Sequence, residues 1–280
     1  MKIYIYTIPK AGTYYTAEVL SQLGFGNTGI HVESFRSCLM TLELDMDTNR
    51  EKPGKAQNFV NAIDVVDNAP DNSFLFGHCP LHLLASAFSE VKFLCCYRHP
   101  RQTLFSEFWD FRFRRTDIDW LSPQAIPDDR RAFVTYLERH SPVQYEISAT
   151  FTDLAESVQN PHRKSRNPER FILVSFDDLR YNPQMIAEVG KHLGKSVSIK
   201  EAHAIIQRVQ VTETKTKANY DRQPESFWTP EAETAYARAG FPELERRMQA
   251  AGLDIGVKAV ATASRASAGT AVQPEDIWRW

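Results

Sequence analysis

The segment that most constrains the fold is Val91–Tyr97, whose sequence VKFLCCY is almost entirely apolar. A strand of this kind has both faces buried, which is typical of a parallel sheet covered by helices on its two sides. Strand-like segments also occur at Ile3–Thr7, Phe74–Phe76 and Phe171–Phe176, and each is followed by a turn signal and a helical pattern. This alternation predicts an α/β fold, a doubly wound parallel sheet flanked by helices.

Helices are predicted between and after these strands, and polar segments are predicted as loops. Apolar residues at helical spacing predict helices over residues 13–23, 33–44, about 81–88, 100–112, 129–139, 143–158, 183–193, 200–210 and 230–239. Polar residues and helix breakers predict loops over residues 46–58, 113–128 and 161–170.

The chain length fits one domain followed by a tail. The sequence has 280 residues, the size of one large domain. Its last segment is rich in Ala, Ser, Gly and Thr, which is typical of a flexible chain. We therefore predict a single domain over residues 1–255 and a flexible C-terminal tail over residues 256–280.

Composition and charge argue against several classes of partner. Lys plus Arg total 33 against 35 for Asp plus Glu, so the net charge of −2 provides no chain-wide basic field for nucleic acid. No run of roughly 18 apolar residues is present to span a membrane. Four cysteines without a CxxC spacing predict reduced thiols rather than a disulfide scaffold or a zinc site. We expect a cytoplasmic protein that acts on small molecules, and a homodimer is one assembly open to it.

Three predicted strand ends carry reactive or anion-binding residues. These are residues 9–15 (PKAGTYY), 77–80 (GHCP) and 98–106 (RHPRQTLFS). In open parallel sheets, ligands bind at the carboxyl ends of the strands, so we expect the three segments to form one site.

The first of these segments joins a turn to the start of a helix, where backbone N–H groups and the helix dipole attract phosphate. Lys10 adds a positive charge, Gly12 permits a close approach of the backbone, and Thr13 offers a hydroxyl. The alternative to a phosphate-binding turn is an ordinary turn with a surface lysine. Lys10 precedes Gly12, whereas a Walker A loop has Gly-Lys-Ser/Thr, so a nucleoside triphosphate kinase is disfavoured.

Residues 9–15 resemble the first signature of the cytosolic-type sulfotransferases, P-K-x-G-T-x-aromatic. Arg98, Pro100 and Ser106 have the spacing of the second signature of that family. Residues 77–80 resemble the T-H-x-P segment that carries the catalytic histidine of the family. Residues 176–183 resemble its strand–acidic–Leu…Pro element.

The resemblance implies a P-loop-like sulfotransferase fold and transfer of a sulfuryl group from PAPS (3′-phosphoadenosine 5′-phosphosulfate) to a hydroxyl or amine of a small-molecule acceptor. No metal ion is implied. His78 would be the general base, and Lys10 would stabilise the leaving phosphate. The implied nucleotide-binding residues are Lys10, Ala11, Gly12, Thr13, Tyr14, Tyr15, Arg98 and Ser106.

Within that set, the resemblance places Thr13 and Tyr14 near the 5′-phosphate and Tyr15 against the adenine. Arg98 and Ser106 would hold the 3′-phosphate, for which the planar fork of an arginine is well suited.

Three features depart from the family pattern. Gly77 replaces the threonine before the histidine, and Tyr15 replaces the usual tryptophan. The C-terminal R-K-G loop that also binds the 3′-phosphate is absent, and Lys215, Lys217 and Arg222 remain alternative substitutes.

Two rival functions stay open beside the sulfotransferase. One is a P-loop small-molecule kinase, which would need Mg²⁺ and an ATP loop. The other is a non-catalytic relative that binds PAPS or its product PAP, although retention of both Lys10 and His78 favours an enzyme. Nearby, Phe108, Trp109 and Phe113 either pack their helix or line the acceptor pocket.

Overall fold

The computed structural model describes residues 1–32, 38–40, 58–78, 81–115, 118–159, 168–212 and 224–256. Within these ranges, seven strands form one sheet: β1 (Lys2–Thr7), β2 (Gly26–Val32), β3 (Cys38–Met40), β4 (Asn58–Val60), β5 (Ser73–Gly77), β6 (Val91–Tyr97) and β7 (Phe171–Ser175). The strand order is β4-β3-β2-β5-β1-β6-β7. The five strands from β2 to β7 in this order run parallel, and β3 and β4 add an antiparallel edge.

Helices cover this sheet on both sides. The described helices are α1 (Thr13–Gln22), α2 (Ala62–Asn68), α3 (Leu81–Ala87), α4 (Pro100–Phe113), α5 (Asp129–Gln159), α6 (Phe176–Tyr181), α7 (Pro183–His192), α8 (Ile199–Val211), α9 (Pro230–Arg238) and α10 (Phe241–Ala250). None of them combines the length and the apolar character needed to cross a membrane.

The core consists of two apolar layers, one on each face of the sheet. In β1, Tyr4 and Tyr6 belong to the layer that packs against α4, α5, α9 and α10. Ile3 and Ile5 belong to the opposite layer, which packs against α1, α7 and α8. Successive side chains of a strand point to opposite faces, so an apolar run such as β1 or β6 supplies both layers at once. The predicted doubly wound α/β fold is confirmed.

Two sequence-based predictions of secondary structure were wrong. Residues 38–40, predicted within a helix, form β3, because their backbone pairs antiparallel with β2 from Val32↔Cys38 to Ile30↔Met40. The helices predicted at 129–139 and 143–158 are one helix that contains Pro142. Buried side chains on both sides of the proline, including Phe133 and Phe151, hold α5 in place. Tertiary packing therefore outweighs the local breaking signal.

Several predictions fall outside the described residues. They concern residues 33–37, 41–57, 79–80, 116–117, 160–167, 213–223 and 257–280, which include Cys79, Lys215, Lys217, Arg222 and nearly all of the predicted tail.

The sheet brings the three predicted strand ends together. Strands β5, β1 and β6 are neighbours, and the register pairs Tyr6 with Gly77 and Thr7 with Cys96. The chain therefore leaves all three strands at the same edge, and the segments that follow them face one region.

Gly77, the last residue of β5, fits closely against β2. A Cβ atom at this position would lie 2.0 Å from the carbonyl oxygen of Val32. The same oxygen accepts a hydrogen bond from the backbone N–H of His78, with an N–O distance of 3.1 Å. The missing side chain at Gly77 thus permits the contact that fixes the backbone of His78. This close fit explains why glycine stands where the T-H-x-P pattern has threonine.

We predict that Gly77→Ala lowers the free energy of unfolding by about 1–3 kcal/mol, the usual range for overpacking a fitted position. Denaturant unfolding would measure the change. Gly26→Ala is the matched control, because a Cβ atom there would make only an ordinary contact, 3.6 Å from Ser73 Cβ. Equal stability of the two variants would contradict the packing argument.

Candidate active site

A cavity of about 630 Å³ lies where the three strand ends meet. It is lined by these predicted site residues: Lys10, Gly12, Thr13, Tyr14, Tyr15, His78, Arg98 and Ser106. Ala11 is fully buried beneath the turn, and its carbonyl accepts a hydrogen bond from Cys96 Sγ at 3.2 Å. The structure thus brings the predicted residues together at one site.

The turn between β1 and α1 has an unusual backbone. Lys10 and Gly12 both have positive φ angles, 66° and 89°. A Cβ atom on Gly12 would lie 2.2 Å from ring carbons of Phe176, so this position has no room for a side chain. Gly12 is also the N-cap of α1. With no side chain to cap the first turn, the backbone N–H groups at this helix start are available to an anion.

The His78 imidazole is held by Thr7 at the end of β1. Its Nδ1 lies 2.8 Å from the carbonyl oxygen of Thr7 and 3.2 Å from the hydroxyl oxygen of the same residue. Because a carbonyl can only accept, Nδ1–H is the donor, and the lone pair of the neutral ring is on Nε2. The Thr7 hydroxyl also lies 2.6 Å from the Thr13 hydroxyl, which links the histidine to the turn.

Burial lowers the pKa of His78 below its ordinary value of 6.5, while the contact with Thr7 and the charge of Glu107 partly oppose this. The imidazole is therefore mainly neutral at pH 7. A second imidazole, that of His31, lies edge-on with a ring-centroid distance of 5.0 Å.

Lys10 forms an ion pair inside the cavity. Its Nζ lies 3.2 Å from Asp110 Oδ1 on α4, and Asp110 also accepts hydrogen bonds from both Nε and Nη2 of Arg114. Burial lowers the pKa of Lys10, and the Asp110 carboxylate partly opposes that shift. For Asp110, burial disfavours the charge, but Lys10 and Arg114 outweigh it and lower the pKa to about 2.

A second part of the cavity combines aromatic and cationic groups. The rings of Tyr15 and Phe176 meet edge-to-face at 5.5 Å, and the Arg98 guanidinium lies 4.8 Å from the Phe176 ring centroid. Gln102 accepts a hydrogen bond from Arg98 Nε at 2.9 Å, which orients the guanidinium. Arg180 lines the same region. The arrangement suits an aromatic base with an attached phosphate.

Helix packing was one of two alternatives for Phe108, Trp109 and Phe113, and none of the three is among the described residues that line the cavity. Phe108 and Trp109 pack into the core, and the Phe113 ring packs against Trp109 in a tilted arrangement with a centroid distance of 4.5 Å. Phe105 and Phe111, on the same helix, line the cavity.

Sequence reasoning missed several residues of the site. They are Thr7, His31, Glu107, Asp110, Phe111, Arg114 and Arg180. One usable signal was the four-residue spacing of Asp110 and Arg114, which matches an i, i+4 pair, although Arg114 lies just beyond the predicted helix. The others lie outside the three motifs, and only the folded chain brings them close.

The comparison with known families supports one of the functions left open by the sequence. The family model described as "Sulfotransferase domain" matches residues 1–238. The chain belongs to the sulfotransferase family. Membership supports sulfuryl transfer as the class of reaction. A search of curated proteins finds no significant match to this sulfotransferase.

Solved structures share the fold of this sulfotransferase at low sequence identity. One is mouse sulfotransferase SULT7A1 complexed with PAP, with 13% identity, a TM-score of 0.59, and coverage of 90% of this chain and 86% of that chain. Another is retinol dehydratase in a complex with retinol and PAP, with 13% identity, a TM-score of 0.51, and coverage of 90% and 81%. These likenesses confirm the P-loop-like sulfotransferase fold.

We predict that Asp110→Asn lowers the pKa of Lys10 further. The substitution removes the carboxylate that favours the ammonium form, and it leaves the charge of Arg114 opposing that form. NMR titration of lysine labelled at Cε would measure the shift, with Lys10→Arg to assign the signal. Asp153→Asn, an exposed carboxylate paired with Arg247, is the control. An unchanged Lys10 titration in Asp110→Asn would contradict the pairing.

Proposed function

We propose that the protein is a PAPS-dependent sulfotransferase that moves a sulfuryl group to a hydroxyl or amine of a small-molecule acceptor. The observation that carries the proposal is the convergence of the His78 imidazole, the Lys10 ammonium and the α1 start in one cavity. PAPS would supply an activated sulfuryl group, whose bond to the phosphate oxygen breaks as the acceptor attacks.

The residues of the cavity fit this donor. The start of α1 offers backbone N–H groups for the 5′-phosphate, with Thr13 and Tyr14 beside it and Gly12 close under it. Tyr15 and Phe176 offer aromatic surfaces for the adenine. Arg98, oriented by Gln102, would hold the 3′-phosphate together with Ser106, which lines the same cavity.

His78 would act as the general base. The contact with Thr7 leaves the lone pair on Nε2, and burial keeps the ring neutral near pH 7. A neutral imidazole can accept the proton of an acceptor hydroxyl as the oxygen attacks sulfur. Thr7 fixes the orientation of the ring, so the base is already positioned before the acceptor binds.

Lys10 would stabilise the negative charge that grows on the leaving phosphate oxygen. The ammonium belongs to the turn that faces the 5′-phosphate, and Asp110 favours its charged form despite burial. A cation fixed in a partly dry cavity stabilises such a charge more strongly than one in water.

The rival functions differ from this proposal in measurable ways. A P-loop kinase would bind ATP with Mg²⁺, and a non-catalytic relative would bind PAP without any turnover. We also infer a cytoplasmic location, which the free thiols of Cys95 and Cys96 support.

We predict that PAP stabilises the protein without Mg²⁺ and binds more tightly than AMP. Arg98→Ala should remove about 2–3 kcal/mol of that preference, the usual value of a charge-assisted contact. Thermal shift and calorimetry with PAP, AMP and ATP, with and without Mg²⁺, would measure it. Arg246→Ala, a largely exposed arginine, is the control. Equal affinity of the parent for PAP and AMP would remove the basis for the 3′-phosphate site.

We predict that His78→Ala leaves the affinity for PAP nearly unchanged and lowers kcat by roughly 10²–10⁴-fold, the usual contribution of general-base catalysis. In the parent, kcat/KM should rise with pH as His78 loses its proton, with a midpoint below its ordinary pKa of 6.5. Steady-state kinetics over pH 5–9 would measure both.

His203→Ala, an exposed histidine on α8, is the matched control. Full activity of His78→Ala on an acceptor that the parent turns over would exclude His78 as the base.

A further inference from the structure

Among the residues that the structure describes, two carboxylates line the cavity. Only one of them forms an ion pair with a Lys or Arg side chain. Asp110 is paired with both Lys10 and Arg114. Glu107 lies one helical turn before Asp110 on α4, is 7% exposed, and pairs with no Lys or Arg in the described part of the chain. Its charge reaches the reaction centre, since it raises the pKa of Lys10 and of His78.

Glu107 is held in a fixed orientation from the side of α5. One oxygen, Oε2, accepts a hydrogen bond from the buried Tyr136 hydroxyl at 2.6 Å. The same oxygen lies 3.4 Å from His140 Nε2. The two side chains form an ion pair only when the His140 imidazole is protonated. No described residue donates to Oε1, and this oxygen keeps accessible surface. Oε1 is therefore the oxygen that a bound molecule can reach.

The wall next to Glu107 is apolar. Phe111, one turn further along α4, lines the cavity with Val143 and Ile147 of α5. Val143 is 48% exposed, so this wall extends to the mouth of the cavity. A molecule seated here would bury an apolar body against the wall and reach Glu107 with a hydrogen-bond donor.

A carboxylate in a partly dry cavity is stabilised most by an opposite charge that also donates hydrogen bonds. We propose that Glu107 is the acceptor-binding carboxylate and that the acceptor is an amphiphilic amine, held by its ammonium group and sulfated on a hydroxyl. This inference rests on the proposed sulfotransferase function and narrows its acceptor class.

The reaction balances with the ammonium unchanged. The hydroxyl oxygen of the acceptor forms a bond to sulfur as the bond between sulfur and the phosphate oxygen breaks. The hydroxyl proton passes to His78 Nε2, and the electron pair of the broken bond stays on the leaving phosphate of PAP. The amine keeps its protons, because Glu107 favours the charged form and so prevents nucleophilic attack by nitrogen.

Matched pairs of acceptors test this class. Tyramine is compared with 4-ethylphenol, and 2-amino-1-phenylethanol with 1-phenylethanol, so each pair differs by one ammonium group at a different distance from the hydroxyl. Calorimetry on the PAP-saturated protein measures binding, and release of PAP from PAPS measures turnover. We expect at least one amine to bind and react about tenfold to a hundredfold better than its partner, the usual effect of a charge-assisted contact.

Variants of Glu107 test whether this residue causes the preference for the amine over its amine-free partner. Glu107→Gln should reduce that preference to less than about threefold by removing the charge, whereas Glu107→Asp should keep most of it. Glu138→Gln, an exposed carboxylate on α5, should keep all of it. The comparison within each pair uses the parent protein, so it remains decisive even if Glu107→Gln does not fold.

Three outcomes would each overturn the inference. They are equal binding within both pairs, no binding of either amine to the PAP complex, and a preference for the amine that persists in Glu107→Gln. PAP binding is measured first in the same titration. Its absence would count against the proposed sulfotransferase, whereas PAP binding without an amine preference would count only against the acceptor class.

Discussion

The site depends on the parallel pairing of β1 with β5 on one side and β6 on the other. The register places Tyr6 beside Gly77 and Thr7 beside Cys96, so three chain segments leave the sheet at one level. The turn with Lys10, the imidazole of His78 and the start of α4 therefore meet without any long loop to position them. Backbone hydrogen bonds of the sheet, made by buried residues, fix these positions more firmly than side-chain contacts would.

Electrostatic balance is the second constraint on the cavity. Lys10 needs to be charged to stabilise a leaving phosphate, yet burial lowers its pKa. Asp110 restores part of the charge, and Arg114 holds Asp110 in place. Burial has a favourable effect on His78, because a base near neutral pH is most useful when it is deprotonated. The same burial thus opposes one proposed role and supports the other.

The sequence predicted the parts of the fold and site that are encoded locally. Apolar runs such as Val91–Tyr97 indicated buried strands, and the resemblance to the motifs of a known family related Lys10, His78 and Arg98. Strand β3 was not predicted, because three residues gain their structure from a neighbouring strand. Glu107 was not predicted as a site residue either. Its neighbours Tyr136 and His140 belong to another helix, and only packing brings them within reach.

Helix α4 extends along both parts of the cavity. Its first half carries Gln102 and Ser106, beside the proposed nucleotide contacts, and its second half carries Asp110 and Phe111, on the proposed acceptor side. An α-helix turns by about 100° and rises about 1.5 Å for each residue. Adding or deleting one residue between Ser106 and Asp110 would rotate one group away from the cavity while the other stayed. The residue spacing along this helix would therefore set the distance between the proposed donor and acceptor positions.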